Sequence, residues 1–288
     1  MAREETAPAR TLALTLCALI AFASNSILCR LALAAHTIDP ASFTSIRIAS
    51  GAVTLAAIAA FTRRGARAGG GWGSALFLFL YAAAFSFAYI SLSAGTGALI
   101  LFGCVQVTMI AAALRAGERP GPLQWTGLAL ALGGLVYLTM PGLTAPSPAG
   151  SALMALAGFA WGVYTLRGRR ESKPLAATGR NFLRAVPFAL AVSLATLARR
   201  DVSARGALLA VASGALASGI GYVVWYAALR GLSATRAATV QLSVPVIAAL
   251  GGVLFLSETV SARLALAALL ILGGVALALA GRAQRGSR

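Results

Sequence analysis

Charged residues are scarce in this sequence, and acidic residues are the scarcest of all. Lysine, arginine, aspartate and glutamate together make up 11% of its 288 residues, against 59% hydrophobic residues. A soluble globular domain carries about 25% charged residues, so this chain has too few charges to cover a water-facing surface. Its mean hydropathy of +0.84 agrees with that. The sequence therefore predicts a membrane protein whose main solvent is the lipid bilayer.

The acidic residues all lie in the N-terminal tail or in predicted loops. They are Glu4, Glu5, Asp39, Glu118, Glu171, Asp201 and Glu258. No carboxylate therefore lies in the middle of a predicted membrane span, where it would be needed to exchange a proton for a cationic drug. This absence argues against proton coupling and against cationic cargo.

Residues that build catalytic or metal sites are also few. The one histidine, His36, lies in a predicted loop, and the one lysine, Lys173, is not part of a G-x-x-x-x-G-K-[ST] motif for ATP. The cysteines, Cys17, Cys29 and Cys104, form no C-x-x-C or Cys/His cluster, which indicates neither a metal site nor a disulfide framework. An intramembrane enzyme would need a buried nucleophile with its base, or paired aspartates. We therefore expect no enzyme activity, no metal and no cofactor.

Basic residues outnumber acidic ones by 24 to 7. The arginines lie between long apolar runs and not on one soluble basic face, which favours a membrane protein over a nucleic-acid-binding one. With the N-terminus inside, 17 basic residues fall on the cytoplasmic side and 5 outside, while Arg47 and Arg184 lie within helices. This distribution predicts a multi-pass protein of the inner membrane with both termini in the cytoplasm. The loop at 199–205 fits it least well.

Ten stretches are long and apolar enough to cross a bilayer, which needs about 20 residues per helix. They are 11–34, 40–61, 72–92, 96–114, 121–140, 149–167, 178–198, 205–229, 234–256 and 260–280. Backbone polar groups in lipid must be satisfied within the segment, so helices are the expected form. The predicted fold class is all-α, a polytopic membrane protein with ten transmembrane helices.

The sequence pattern of residues 93–142 is repeated 140 positions later in the chain. The matched anchors are Ser93-Ala94 with Ser233-Ala234, Glu118 with Glu258, and Leu130-x-Leu132-Gly133-Gly134 with Leu270-x-Leu272-Gly273-Gly274. Five spans per half turn the second half upside down, so we predict two inverted five-helix repeats, residues 1–142 and 148–288.

The alignment of the first helices of the two halves stays open. An offset of 137 places Arg30 on Arg167 and Arg47 on Arg184. An offset of 139 instead places Phe22-Ala23 on Trp161-Gly162.

A resemblance to a known family rests on a small set of residues in both halves. They are Ser24-Asn25, Trp161-Gly162, Arg47, Arg184 and the Ser-Ala, Glu and Gly-Gly anchors of the repeat. The pattern resembles the drug/metabolite transporter superfamily in its ten-helix form with two EamA-type repeats, and within it the aromatic amino acid exporters of the YddG type. The first half lacks the Trp-Gly pair of the second. The resemblance implies a secondary transporter that exports small metabolites.

Aromatic and amide side chains on the predicted helices are the candidate substrate-binding residues. They are Asn25, Tyr81, Phe85, Tyr89, Gln106, Trp161, Tyr164, Tyr222, Trp225 and Gln241. Aromatic faces can stack on a planar side chain, and tyrosine hydroxyls can bind a carboxylate or an amine. Ordinary helix packing or an interfacial belt is the alternative for each ring, and interhelical hydrogen bonding is the alternative for each amide.

Two arginines and two glutamates are candidates for structural or charge roles. Arg47 and Arg184 cost at least about 2.5 kcal/mol each in mid-helix. They either balance an anion in the pathway or serve the structure, and the resemblance favours the structural role. Glu118 and Glu258 are expected to cap the following helix or to brace a loop arginine. Pro245, with Gly251-Gly252, is expected to bend its helix, and Pro187 to do the same in another.

The expected function is secondary transport of an amino-acid-like small molecule, with aromatic or bulky neutral amino acids as the best candidates. Rocking of the inverted halves about a midplane site would give alternating access without ATP and without protons. Another metabolite or drug class, an intramembrane enzyme and a membrane scaffold are the alternatives. We expect a monomer that contacts lipid and no nucleic acid.

Overall fold

The computed structural model describes residues 6–61, 69–117, 121–142, 145–232 and 234–286. Glu118 and Ser233 lie outside the described residues, so the predictions that fall on them are not followed further. Within these ranges every secondary-structure element is a helix, and strand-like pairing is limited to one bridge between Ile38 and Val202. The helices are α1 (Thr6–Ala34), α2 (Pro40–Phe61), α3 (Trp72–Ala88), α4 (Ala94–Arg115), α5 (Pro122–Thr139), α6 (Pro148–Gly168), α7 (Pro174–Ala195), α8 (Ala204–Gly231), α9 (Ala234–Gln241 and Ser243–Leu256) and α10 (Ala262–Gly286).

Seven of these helices are long and apolar enough to cross a membrane by length and composition alone: α1, α2, α4, α6, α8, α9 and α10. Helix α3 is apolar but spans only 17 residues. Helix α7 carries Arg180, Asn181 and Arg184, and Asn181 is buried inside the bundle. The predicted all-α, polytopic architecture is confirmed.

Helix starts follow the local sequence. Proline occupies the first position of α2, α5, α6 and α7, where its missing N–H has no partner to lose. Ser93, Ser147 and Ser203 cap α4, α6 and α8, each accepting a hydrogen bond from a backbone N–H three residues further on.

The loops alternate between two faces of the bundle. On the face where α1 begins, here called the terminal face, the Gly70 N–H donates to Glu171 at 3.0 Å and joins the loops before α3 and after α6. On the opposite face, the Asp39 N–H donates to the Asp201 carbonyl at 2.8 Å and joins the loops after α1 and α7. Loops that follow odd-numbered helices thus share one face, as they must if every helix crosses the bundle once.

Helix packing follows a two-fold pattern. Helix α6 packs on α3 and α4, and its counterpart α1 packs on α8 and α9. Helix α2 packs on α8, as α7 packs on α3. The pairs α2–α7, α4–α9 and α5–α10 each join a helix to its own counterpart. Two halves related by a pseudo-two-fold axis would produce this exchange of partners.

Glycines set the closest approaches near the centre of the bundle. Gly158 and Gly162 lie one turn apart on α6, and a Cβ at Gly158 would come within 2.6 Å of the Leu101 carbonyl of α4. A Cβ at Gly214 of α8 would collide with the Arg47 carbonyl of α2. Small residues allow such backbone contact in membrane helices. Because Gly162 faces α4, the neighbouring Trp161 is free to face the interior.

Two helices of the second half depart from regular α-geometry. Residues Ala212–Ile220 of α8 form a π-helical segment between two α-helical ends. Helix α9 breaks at Leu242, as predicted, because Pro245 has no N–H to donate to the carbonyl of Gln241 four residues earlier. The bend predicted at Pro187 is not seen as a break, since α7 continues through it from Pro174 to Ala195.

Candidate functional site

A cavity of about 1880 Å³ lies between the two halves. It extends from side chains near mid-depth, such as Asn25 and Arg47, to residues of the terminal face, such as Glu171, Lys173 and Arg230. Within the described part of the chain, the loops of the opposite face contribute nothing to its lining. As far as the described residues show, the cavity therefore opens toward the terminal face and not toward the opposite one.

The structure brings most of the predicted substrate-binding residues into this one space. Nine of the ten line the cavity: Asn25, Tyr81, Phe85, Gln106, Trp161, Tyr164, Tyr222, Trp225 and Gln241. Tyr89 does not, because α3 ends at Ala88 and the Tyr89 hydroxyl donates to the Ala94 carbonyl at 3.2 Å.

Trp161 is the centre of a continuous aromatic wall. Its ring lies 4.7 Å from Tyr81, 5.5 Å from Tyr164 and 5.8 Å from Tyr222, measured between ring centroids. Phe22 continues the wall toward Trp225, at 5.7 Å. Offset and edge-on ring pairs at these distances are favourable. They hold the rings in place and leave faces and edges toward the cavity.

Arg47 is the one deeply buried cation among the described residues that line the cavity. Its side chain is 3% exposed, and Nη2 donates to the Tyr81 hydroxyl at 2.9 Å. The guanidinium carbon lies 4.9 Å from the Phe85 ring centroid, in cation–π contact. Nη1 has no hydrogen-bond partner within the described chain. A buried charged donor without a partner is costly, which makes this nitrogen a ready site for an anionic group.

Asn25 is held in one orientation by the π-helical segment of α8. Its Oδ1 accepts from the Ser213 hydroxyl at 2.7 Å and from the Ser218 hydroxyl at 3.4 Å. Gly214, next to Ser213, is the residue that touches the Arg47 carbonyl. The π-helical segment thus contacts the side chain of Asn25 and lies against the backbone of Arg47. Since both serines donate to the amide oxygen, the amide NH₂ remains to face the cavity.

Several lining residues were not singled out by the sequence. Thr178 accepts from the Tyr164 hydroxyl at 3.4 Å and lies 3.0 Å from the Tyr226 hydroxyl, and Asn181 donates to Tyr164 at 3.5 Å. Tyr226 is different, because the sequence does mark it: it follows Tyr222 by one helical turn on an aromatic helix face. Thr178, Asn181 and Phe22 carry no comparable signal, because a polar or aromatic residue of a membrane helix is as often a packing residue.

The two mid-helix arginines differ in position. Arg184 lies outside the cavity lining, with its guanidinium 6.0 Å from the Trp72 ring centroid, and its Nη1 has no partner among the described residues. Trp72 is largely exposed on the outside of the bundle. Of these two arginines, only Arg47 therefore supplies the cavity with a buried positive charge.

Glu258 closes the opposite face. Its carboxylate accepts from the Ala94 N–H at 2.9 Å and from Arg30 Nε at 3.4 Å, while Arg30 Nη1 donates to the carbonyls of Tyr89 and Ile90. Glu258 thus contacts an arginine, but Arg30 lies within α1 and not in a loop as predicted. The predicted cap on the following helix is wrong, because Glu258 caps α4 of the other half. Ser261 caps α10 instead, through the Leu264 N–H at 3.1 Å.

The mouth on the terminal face is mainly basic. Lys173, Arg180, Arg230 and Arg169 line it, against Glu171 as the acid among the described lining residues. Arg180 donates to the Gly69 carbonyl at 2.8 Å and Glu171 accepts from the Gly70 N–H, so both also hold the loop before α3. A mouth of one sign raises the local concentration of oppositely charged solutes.

A lipid-spanning helical bundle with one deep cavity, closed on one face and open on the other, is the architecture of a membrane transporter. The chain matches the model of the EamA-like transporter family twice, over residues 9–140 and 148–280. The protein therefore belongs to that family, in the drug/metabolite transporter superfamily, whose members are transporters and not enzymes.

Two individual proteins are also similar. The chain is 54% identical over 280 residues to an uncharacterized protein of Pseudomonas aeruginosa, covering 97% of this chain and 98% of that protein. A solved crystal structure of a protein shares the fold at 22% identity, with a TM-score of 0.61 and coverage of 91% of this chain and 95% of the other.

Proposed function

We propose that this transporter exports aromatic or bulky neutral amino acids across the inner membrane by alternating access, without ATP and without proton coupling. The observation that carries the proposal is the aromatic wall around Trp161 beside the free Nη1 of Arg47. The rings offer apolar faces to a planar side chain, and the guanidinium offers a charged donor to a carboxylate.

Alternating access is supported by the distribution of contacts between the two faces. Arg30, Glu258 and the start of α4 tie the halves together on the opposite face, while the cavity is open at the terminal face. With both termini in the cytoplasm, as the arginine distribution predicts, this is an inward-open state that can load solute from the cell interior. Release would require the contacts of Glu258 to separate.

The absence of proton coupling is supported by the charges of the lining. Among the described residues that line the cavity, Glu171 is the acid, and it lies at the mouth in the loop between α6 and α7. A proton relay through the membrane needs ionisable carboxylates or histidines along the path. Transport down the solute gradient needs none.

Purified protein in liposomes should exchange labelled phenylalanine or tryptophan without an imposed pH gradient. Trp161→Ala should weaken the apparent affinity at least about tenfold, since it removes one ring face and loosens three others, and about 1.4 kcal/mol corresponds to a factor of ten. Counterflow at several substrate concentrations measures this apparent affinity.

Trp125→Ala is the matched control, because Trp125 starts α5 and is half exposed on the outside of the bundle. Its counterflow should equal that of the unaltered protein. Equal loss in both variants would contradict a binding role for the aromatic wall. Dependence on an imposed pH gradient would refute uncoupled transport, and flux of some other metabolite class alone would replace the substrate.

A further inference from the structure

We infer that the cavity takes aromatic carboxylates as monoanions, with the α-amino group dispensable, so that the membrane potential itself drives their export. The inference rests on the proposed function, since it assigns a substrate class to the same cavity and the same cycle. Three observations on the described residues support it: a buried cation with an unpaired nitrogen, an amide donor in the same cavity, and the lack of a buried acid in the cavity lining.

The first observation is the state of Arg47. Its guanidinium is buried, and its contacts with the described residues are to neutral groups: the Tyr81 hydroxyl and the rings of Tyr81 and Phe85. Nη1 has no partner. A planar guanidinium with a free N–H is well matched to a carboxylate oxygen. A bound carboxylate would supply both the missing acceptor and the missing counter-charge.

The second observation is the orientation of Asn25. The hydroxyls of Ser213 and Ser218 both donate to its Oδ1, so its free donors belong to the NH₂ group. Asn25 and Arg47 both line the cavity, and the π-helical segment of α8 contacts the Asn25 side chain and lies against the Arg47 backbone. An acceptor-only group such as a carboxylate fits two donors, whereas an ammonium group fits neither.

The third observation is the charge balance of the lining. Among the described lining residues the one carboxylate is that of Glu171, at the mouth, where it accepts from the Gly70 N–H. An α-ammonium bound beside Arg47 would have no counter-charge and would meet a like charge. The basic residues Lys173, Arg180 and Arg230 at the mouth also favour entry of anions over zwitterions or cations.

The charge of the cargo decides what drives the cycle. A zwitterion carries no net charge across the membrane, so its distribution follows its own gradient. A monoanion leaving a cell with a negative interior moves down the electrical gradient. For a unit charge about 59 mV corresponds to a factor of ten, so a potential of roughly 120 mV should shift its steady-state ratio about a hundredfold.

Three ligands with the same ring and different charge test the inference in proteoliposomes: 3-phenyllactate as the monoanion, phenylalanine as the zwitterion and 2-phenylethylamine as the cation. We expect 3-phenyllactate to compete in counterflow at least as well as phenylalanine, and 2-phenylethylamine to compete at least tenfold less well. A potassium diffusion potential set with valinomycin should make vesicles with a positive interior accumulate 3-phenyllactate and leave the phenylalanine ratio unchanged. Protein-free vesicles measure the passive leak of each ligand across the lipid.

Two variants connect the result to Arg47. Arg47→Gln should weaken competition by 3-phenyllactate at least tenfold, while Arg47→Lys, which keeps the charge, should recover part of it. Arg184→Gln removes the other mid-helix arginine, which lies outside the cavity, and should leave competition unchanged. Size-exclusion profiles report whether each variant is folded. If a variant does not fold, the comparison of the three ligands on the unaltered protein still tests the inference.

The outcomes separate the inference from the proposed function. Transport of phenylalanine with no competition by 3-phenyllactate overturns the inference and keeps the proposed function. Potential-driven transport of 3-phenyllactate without phenylalanine supports the inference and overturns the amino-acid assignment. Transport of neither overturns both, and competition by 2-phenylethylamine equal to that of 3-phenyllactate overturns the charge selectivity.

Discussion

Replacing Gly274 by alanine should destabilise the folded protein by about 2 kcal/mol, whereas the same change at the adjacent Gly273 should be neutral or slightly stabilising. A Cβ at Gly274 would lie 2.5 Å from the Gly127 carbonyl oxygen and 2.7 Å from the Ala131 nitrogen. Both are backbone atoms of α5, so no side chain can move aside. Overpacking of this kind typically costs about 1–3 kcal/mol.

Gly273 is the matched control for the added methyl group, because nothing lies within 4 Å of a Cβ built there. Both changes gain the same helix propensity, so their difference isolates the contact between α5 and α10. Thermal unfolding of the purified protein in detergent should show a midpoint lowered by roughly 4–8 °C for Gly274→Ala relative to Gly273→Ala. Equal midpoints would show that α5 and α10 do not meet at Gly127 and Gly274.

Removing the Glu258 carboxylate should open the opposite face. Glu258→Ala leaves the Ala94 N–H and the Nε of Arg30 without their acceptor, and both are partly buried. A hydrogen bond to a charged group contributes about 1.5–3 kcal/mol. The equilibrium between closed and open opposite faces should therefore shift at least about tenfold toward the open form.

Accessibility of a single cysteine measures this shift. Ser26 lines the cavity, so Ser26→Cys in a background without Cys17, Cys29 and Cys104 reports which face admits a membrane-impermeant maleimide. In the parent, labelling should occur from the terminal face alone. With Glu258→Ala it should also occur from the opposite face.

Asp201→Asn is the control for the loss of a negative charge on the same face, because the Asp201 side chain has no hydrogen bond among the described residues. It should leave labelling unchanged. Intact cells and inside-out vesicles present opposite faces, so the parent also tests the predicted cytoplasmic placement of the termini. Labelling of the parent from both faces would contradict the seal at Glu258.

The aromatic stripe of α3 shows how far helical periodicity can predict a site. Tyr81, Phe85 and Tyr89 are spaced by four, so the sequence places them on one helix face. The first two line the cavity, and Tyr89 does not, because the helix ends one residue before it. The end of a helix depends on loop contacts, here with the start of α4.

Glu258 shows that a sequence repeat can mark a structural residue without identifying all of its contact partners. Its repetition in sequence marked it as a residue with a structural partner, and an arginine partner was among the expectations. Its other partner is the N-terminus of α4 in the other half. Local sequence suggests a cap on the nearest helix start, and contacts between residues 164 positions apart in the chain are visible only in the folded bundle.

The sequence by itself determined that this chain spans a membrane as helices, because scarce charges and long apolar runs leave a lipid-embedded backbone no other way to satisfy its hydrogen bonds. It also marked most of the aromatic and amide residues that line the cavity. Only the tertiary structure decided that Arg47 and not Arg184 reaches the cavity, and that Asn25 is oriented by Ser213 and Ser218. Both outcomes depend on which side chains the packed helices bring together, and that is set by packing across the bundle and not by any local sequence pattern.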